Sequence, residues 1–490
     1  MSSTDEWIAS PEAEQLDARI AQYDCLATGA HVLMLASQGI MTRPDAAAAL
    51  GALLEIEEIC SKGQFRYMPG YGAQLTLEKM IVDRVGPEIG YQVHTGRSRN
   101  DQVMTAQKMC VKDLVLEVAE GLLQLISSLL ERSGQQTMWV MPGYTHMQPA
   151  RPTTLGQWFA AYADMFSRDF RRLQDSYIRN DTSPLGAAES HGTSWNLDRE
   201  MTMNLLGFSA LDEIPLDAVS SRGESEADLL GAVAFISLHL SKLAEDLLLF
   251  TTYEYGYASL GAGQATRMGK LTGSSIMPQK RNPDVLELLR GQASEINACL
   301  SHSLDTLTAL PSGYNRDSRN SKAPAFKGLD SIAASLQQAA LTVDHIEFDR
   351  QRMLEATVEN HSMATDLAEH LAQEYKIPFR QMHSIVGKAV AEAIEQGRRV
   401  CDLTVKELEG QARQAGCELP LSDQDIAQGS DPQQAVRRRN NTGGSNSEQM
   451  EAWATRRQES FLEMSEWLKQ QVGASISSKE RLRSMSRSLA

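Results

Sequence analysis

The chain of 490 residues lacks the cysteine patterns that mark metal sites and disulfide frameworks. Its six cysteines are scattered, and none of them forms a Cys-x-x-Cys pair. This arrangement favours neither a structural zinc site nor a set of disulfides, and it fits a reducing cytosol. The opening residues, MSSTDEW, also lack the basic and apolar segments of a signal peptide. We therefore expect no export and a cytoplasmic protein.

Excess positive charge and uninterrupted apolar runs are missing as well. Asp and Glu outnumber Lys and Arg by 63 to 47, and the formal net charge of -16 argues against nucleic-acid binding. The longest apolar segment, residues 228–250, contains Ser237, His239, Lys242, Glu245 and Asp246, so we expect no membrane span. The sequence shows neither metal-ligand spacing nor a cofactor fingerprint, so we expect no metal and no cofactor.

Helical periodicity dominates what is present, and no alternating, strand-like run is longer than a few residues. The pattern predicts a mostly α fold. We expect three helical domains, residues 1–104, 105–352 and 353–490, and a disordered tail from Ser475. Five segments are long enough to be core helices: residues 102–133, 155–177, 224–252, 285–310 and 323–343. Helices of this length favour a bundle that continues across subunits.

Residues 273–283, GSSIMPQKRNP, have the composition of a binding loop. Pro278 and Pro283 exclude a regular helix or a central strand here. The loop could cradle a phosphate, although the GxxxxGK[ST] spacing is absent, or it could be an ordinary solvated loop. Hydroxyl, amide and ammonium donors fit a clamp for a small carboxylate best. An acidic protein that binds a dicarboxylate needs a local positive pocket, for which the candidates are Arg97, Arg99, Lys280, Arg316 and Lys322.

The loop is similar to the signature loop of the fumarase/aspartase superfamily, and other segments resemble the argininosuccinate lyase branch. The resemblance covers nearly the whole chain, from about Asp17 onward. Its main further motifs are HTGRSRNDQ (94–102), MPGYTHMQ (141–148), SPLG (183–186), LDAVS (216–220) and YNRD (314–317). It implies a homotetramer with a shared central helix bundle, active sites built from several subunits, and a reaction of arginine biosynthesis.

The resemblance also implies roles for individual residues. Ser274 would be the general base, with Lys280 beside it, and His146 would act on the acid side. Chemistry alone would choose His146 as the base, because a serine hydroxyl scarcely ionises near neutral pH. A lone histidine is, however, more often structural. The residues implied to bind substrate are Ser98, Arg99, Asn100, Thr145, Ser275, Met277, Asn282, Tyr314, Arg316, Arg319, Lys322 and Gln74.

Some of these residues have a simpler structural explanation. Ser98 or Asn100 could cap a helix, and Arg99 could be surface charge. Tyr314 could be an ordinary buried tyrosine, and Arg316 could belong to an internal salt bridge. These alternatives stay open at the level of the sequence.

The chain departs from the argininosuccinate lyases where the family binds the leaving amine. Gly72 and Gln74 replace an Asp-x-His pair, Arg319 replaces a glutamine, and Ser221 replaces an aspartate. The favoured function is a C–N lyase that eliminates fumarate from argininosuccinate, a small dicarboxylate substrate. One alternative is elimination from another N-(1,2-dicarboxyethyl) amine, such as an aminopolycarboxylate of the ethylenediamine-disuccinate type. Another is a catalytically silent, crystallin-like structural relative.

Overall fold

The structure is a computed structural model that describes residues 11–66, 68, 72–260, 276–277 and 279–490. The N-terminal part is helical. Its elements are α1 (Pro11–Ser37), α2 (Arg43–Ser61), α3 (Gly72–Val85), α4 (Pro87–Gly90) and a 3-10 helix, Tyr91–His94. Apolar side chains from α1, α2 and α3 form one hydrophobic cluster.

Five long helices form the centre of the molecule. They are α5 (Arg99–Gln135), α6 (Leu155–Asn180), α9 (Glu224–Phe250), α10 (Asp284–Leu307) and α11 (Lys322–His345). Each overlaps one of the core helices predicted from periodicity, and together they bury the largest hydrophobic cluster. The mostly α fold is confirmed.

The helix α9 carries the longest apolar stripe of the sequence. Its residues at helical spacing, from Leu229 to Phe250, are buried against α6, α10 and α11. In the described part of the chain, α9 alone is long and apolar enough to cross a membrane, yet 56% of that stretch is buried inside the protein. Such burial is typical of the core helix of a bundle.

Short strands and helices connect the bundle. The strands β1 (Val140–Thr145) and β2 (Gln148–Thr154) form an antiparallel hairpin. The other pairs are β3 (Thr182–Ser183) with β4 (Ala210–Leu211), and β5 (Ala258–Leu260) with β6 (Ile346–Phe348). The short helices before α11 are α7 (Arg199–Leu206), α8 (Pro215–Ser220) and a 3-10 helix, Arg316–Ser321.

A third hydrophobic cluster lies in the C-terminal part. Its elements are α13 (Ala364–Glu374), α14 (Phe379–Glu395), a 3-10 helix (Val400–Asp402), α15 (Val405–Gln414), α16 (Asp423–Gly429) and α17 (Pro432–Arg437), preceded by α12 (Arg350–Glu359). The three clusters are compatible with three domains, whose exact boundaries stay a prediction.

The expectation of a disordered tail from Ser475 is wrong. This segment belongs to α18 (Ser447–Leu489), which packs on α5 and returns to the N-terminal part. Ser475 and Lys479 both hydrogen-bond Asp113 of α5. Leu482 is 2% exposed within the N-terminal cluster. Contacts to distant segments hold this helix in place. The polar composition of the tail gives no sign of these contacts.

Candidate active site

His146 lies at the tip of the β1–β2 hairpin. Thr145 pairs with Gln148, so His146 and Met147 form a two-residue turn. Both have a positive φ, 53° and 61°, as a type I′ turn requires. Such turns usually contain Asn or Gly, because other side chains are strained at positive φ. The turn leaves Thr145, His146 and Met147 exposed.

The catalytic residue implied for the signature loop, Ser274, lies outside the described residues, and so does Ser275. Beyond them, the Lys280 N–H donates to the carbonyl of Met277 at 3.1 Å. The side chains of Met277 and Lys280 are exposed, and Asn282 is half-buried just before α10 begins. The described part of the loop therefore presents its ammonium and amide groups near the start of a bundle helix.

The hairpin and the end of the signature loop lie at the same end of the bundle. The hydroxyl oxygens of Tyr144, on β1, and Tyr257, just after α9, are 2.7 Å apart. Arg290 near the start of α10 pairs with Glu245 near the end of α9 at 2.8 Å, so these helices run antiparallel. The residues before α10, including Lys280, thus lie beside the end of α9 that contacts the hairpin.

A second group of candidates surrounds the start of α5. Ser98 is the N-cap: its hydroxyl accepts a hydrogen bond from the Asn100 N–H, and its own N–H donates to the Asp101 carboxylate. Asp101 also accepts hydrogen bonds from the N–H groups of Gly186 and Ala188. Ser98 therefore caps α5, as one of the two structural explanations predicted. Binding of substrate by Ser98 remains a prediction.

The side chains that follow the Ser98 cap face different surroundings. Arg99 is exposed, and the Asn100 amide lies 3.4 Å from the carbonyl of Glu189. Arg97, one of the basic residues considered for a positive pocket, is instead 9% exposed and donates to the hydroxyl of Thr28 in the N-terminal core.

A third group of candidates follows α10. Tyr314 is 37% exposed, and the guanidinium of Arg222 lies 5.4 Å from its ring centre. Lys322 is buried and forms an ion pair with Asp17 of α1. Burial lowers the pKa of Lys322, although the charge of Asp17 and its hydrogen bond oppose the shift. Arg316 is exposed and Arg319 half-buried in the intervening 3-10 helix.

Tyr314 and Asn100 belong to the same end of the bundle. The Gly313 N–H donates to the hydroxyl of Ser220 at 2.8 Å, just before α9 begins. The backbone of Gly313 also lies next to Ser190, which follows the Glu189 carbonyl that faces Asn100. Two candidate groups therefore converge at this end, one from the start of α5 and one from the segment after α10.

The two ends are far apart in one chain. The helix α5 has 37 residues, with Ser98 before its start, and the hairpin that carries His146 follows its end. At 1.5 Å per residue, this helix is about 55 Å long. One chain therefore keeps the His146 and Lys280 group away from the Asn100 and Tyr314 group.

Gln74 borders a buried polar cluster in the N-terminal part. A small cavity there is lined by Gln74, Glu78, Arg97 and Gln102, among others. The Gln74 amide nitrogen is buried without a hydrogen-bond partner among the described residues.

One residue near Tyr314, Arg222, does not stand out in the sequence as a site residue. Arg222 is 7% exposed, and burial lowers its pKa, whereas the nearby Tyr314, Glu226 and Asp17 raise it. A signal did exist, because Arg222 follows the LDAVS motif by two positions.

Within the described residues, no group of three or more His, Cys, Asp and Glu side chains could hold a metal ion.

Comparison with known protein families matches most of the chain. The profile of a family described as "Lyase" matches residues 7–297, and that of the argininosuccinate lyase C-terminal family matches residues 361–437. An argininosuccinate lyase from Symbiobacterium thermophilum is 38% identical over 429 residues, which are 87% of this chain and 90% of the relative.

Solved structures share the fold over almost the full length. EDDS lyase in complex with formate has a TM-score of 0.87 and 28% identity, covering 98% of this chain and 96% of its own. The 3-carboxy-cis,cis-muconate lactonizing enzyme from Pseudomonas putida, at 20% identity and a TM-score of 0.73, shows the fold alone over 95% of this chain and 100% of its own. The chain belongs to the argininosuccinate lyase branch of the fumarase/aspartase superfamily.

Proposed function

We propose that the protein is a C–N lyase that eliminates fumarate from argininosuccinate and releases arginine. The observation that carries the proposal is the 38% identity to an argininosuccinate lyase over 87% of the chain. The match of residues 361–437 to the argininosuccinate lyase C-terminal family supports the same substrate.

The proposed reaction begins with removal of a proton from the carbon beside a substrate carboxylate. Ser274 would take this proton in its alkoxide form, which the Lys280 ammonium would stabilise, and would become a neutral hydroxyl. The carboxylate becomes a doubly charged aci form, which donors of the loop and of Thr145 would hold. Its electrons then form the double bond of fumarate as the C–N bond breaks. His146 would protonate the leaving nitrogen or orient the group that does.

We propose that the active site forms between subunits of a homotetramer. In one chain, His146 and Lys280 lie at the opposite end of the bundle from Asn100 and Tyr314, about one α5 length away. Antiparallel packing of two bundles would bring the His146 end of one chain to the Asn100 end of another. Exposed apolar side chains on the bundle helices, including Phe235, Leu238 and Leu288, supply a surface for such packing.

A second candidate substrate is an aminopolycarboxylate adduct of the ethylenediamine-disuccinate type. Arg222, whose guanidinium lies 5.4 Å from the Tyr314 ring centre, and Lys322 are both buried. Burial lowers the pKa of each, and the charge of Arg319 lowers it further. The acidic partners there are Asp17, which pairs with Lys322, and Glu226, which accepts hydrogen bonds from Gln107 and Ser225. A cationic surrounding suits a leaving amine with extra carboxylates. The likeness to EDDS lyase supports this candidate.

Substituting Arg319→Gln tests which amine the protein prefers. The change removes a guanidinium that repels the guanidinium of arginine and attracts a carboxylated amine. We expect preference to shift toward argininosuccinate and away from the acidic adduct, with little change in the KM for fumarate in the reverse reaction. Steady-state kinetics on both substrates measure the shift. A wild-type enzyme that ignores the acidic adduct would eliminate the second candidate.

A further inference from the structure

The hairpin that carries His146 has a strained tip and firm anchors. His146 and Met147 occupy positive φ without being glycine, a conformation that persists only where the surroundings enforce it. Neither residue forms a side-chain hydrogen bond among the described residues, and both are exposed. The constraint on the tip must therefore come from the two strands.

The second strand, β2, is held by the C-terminal part of the chain. Arg151 donates to Asp366 at 3.0 Å and to Glu369 at 2.6 Å. Arg439, which also pairs with Asp366, donates to the carbonyl of Pro152. These bonds fix the strand that follows the turn.

The first strand, β1, is held by a pair of tyrosines. Tyr144 lies two residues before His146, and its hydroxyl is 2.7 Å from that of Tyr257. Tyr257 is 3% exposed, and its backbone is fixed by hydrogen bonds to Phe250 and Asp349. The Tyr257 hydroxyl is thus held in a fixed position just after α9. Its hydrogen bond to Tyr144 fixes β1, the strand that leads into the turn.

We propose that Tyr257 is a positioning residue for His146, acting through its hydroxyl bond to Tyr144. The proposal rests on the proposed lyase function, in which His146 serves the leaving nitrogen. Removing the hydroxyl leaves the packing of the ring in place but frees the Tyr144 side of the hairpin. A displacement of about 1 Å at a reacting group can reduce turnover by roughly a hundredfold.

Tyr257→Phe tests the proposal, with Tyr255→Phe as its matched control. The Tyr255 ring lies 5.2 Å from that of Tyr257 and 5.6 Å from that of Tyr144, but its hydroxyl has no hydrogen bond among the described residues. We expect Tyr257→Phe to lower kcat by about tenfold or more with a much smaller change in KM, and Tyr255→Phe to leave both unchanged. Thermal unfolding should shift little in either variant.

The double variant Tyr144→Phe/Tyr257→Phe shows whether the two hydroxyls act as one unit. If they act through one hydrogen bond, the double variant loses no more kcat than the more impaired single variant. Additive losses, or equal losses in Tyr257→Phe and Tyr255→Phe, would overturn the proposal.

Failure of the proposed lyase function can be distinguished from failure of the positional role of Tyr257. A wild-type protein that releases no fumarate contradicts the lyase function. The position of the tip is then compared in crystal structures of Tyr257→Phe and Tyr255→Phe. A His146 backbone displaced only in Tyr257→Phe supports the positional role, and an unmoved tip overturns it. An active wild type, an impaired His146→Asn and an unimpaired Tyr257→Phe would contradict the positional role alone.

Discussion

Asp24, on α1, has an almost completely buried carboxyl group. It is 1% exposed, and one of its oxygens accepts hydrogen bonds from Gln102 and Thr28, whereas the other has no partner among the described residues. Burial raises the pKa of Asp24 from 3.8 to about 6, although the positive charge of Arg97 opposes the shift. The ionised carboxylate is therefore a source of instability at neutral pH.

Asp24→Asn should change the pH dependence of stability. The folded protein retains the Asp24 proton at a pH where the unfolded chain has released it, so this group contributes less stability as pH rises through about 4 to about 6. Relative to Asp24→Asn, the wild type should gain about 1 kcal/mol between about pH 7.5 and about pH 5. Burial lowers the pKa of His31, which reduces the stability of the folded protein as pH falls. This effect is opposite to that of Asp24, and both proteins share it.

Urea unfolding of both proteins at the two pH values measures the difference. Comparing the two proteins at each pH cancels the contribution of every other titrating group. A difference between them that stays constant with pH would show that Asp24 titrates as an ordinary aspartate.

Ser274→Ala should abolish elimination and leave the assembled protein intact. The change removes the proposed base and no large side chain, and Lys280→Met should be nearly as harmful because it removes the charge beside the developing dianion. Fumarate release and size-exclusion chromatography give the two readouts. If Ser274→Ala keeps more than about a tenth of wild-type turnover, another group takes the proton.

The elements of the fold differ in how well the sequence predicts them. The bundle helices follow from local periodicity, because each buries an apolar stripe, as α9 does from Leu229 to Phe250. The end of α18 cannot be predicted from local periodicity, because its stability depends on Asp113 and Glu57, which lie hundreds of residues away in the chain. At the site, motifs indicated His146, but the strained backbone of its turn is a property of the folded hairpin.

Leu482→Ala should reveal what α18 contributes to stability. Leu482 packs with the N-terminal cluster, and removing such a buried side chain destabilises by about 2–5 kcal/mol. Ile476→Ala on the same helix is the control, because Ile476 is 51% exposed and should change stability by less than about 0.5 kcal/mol. Thermal and urea unfolding compare the two variants. Equal effects would mean that the end of α18 is not docked on the N-terminal part.

Mixing two inactive variants tests the shared site at the scale of the whole molecule. His146→Asn and Asn100→Ala change opposite ends of the bundle, so a hybrid oligomer would contain some sites with both native residues. With random assortment, about a quarter of the sites would be native. Fumarate release from co-expressed or unfolded and reassembled mixtures should therefore exceed that of either variant alone. Sites formed within one chain would give no recovery.

Elimination of fumarate from argininosuccinate can be measured directly with the purified protein. Purified protein is incubated with argininosuccinate or with an ethylenediamine-disuccinate adduct, and fumarate is followed by its ultraviolet absorbance, with mass detection of the released amine. We expect fumarate and arginine in equal amounts from argininosuccinate, with a higher kcat/KM than for the acidic adduct. Fumarate from the acidic adduct alone would contradict the assignment of argininosuccinate, and fumarate from neither substrate would contradict the proposed lyase function.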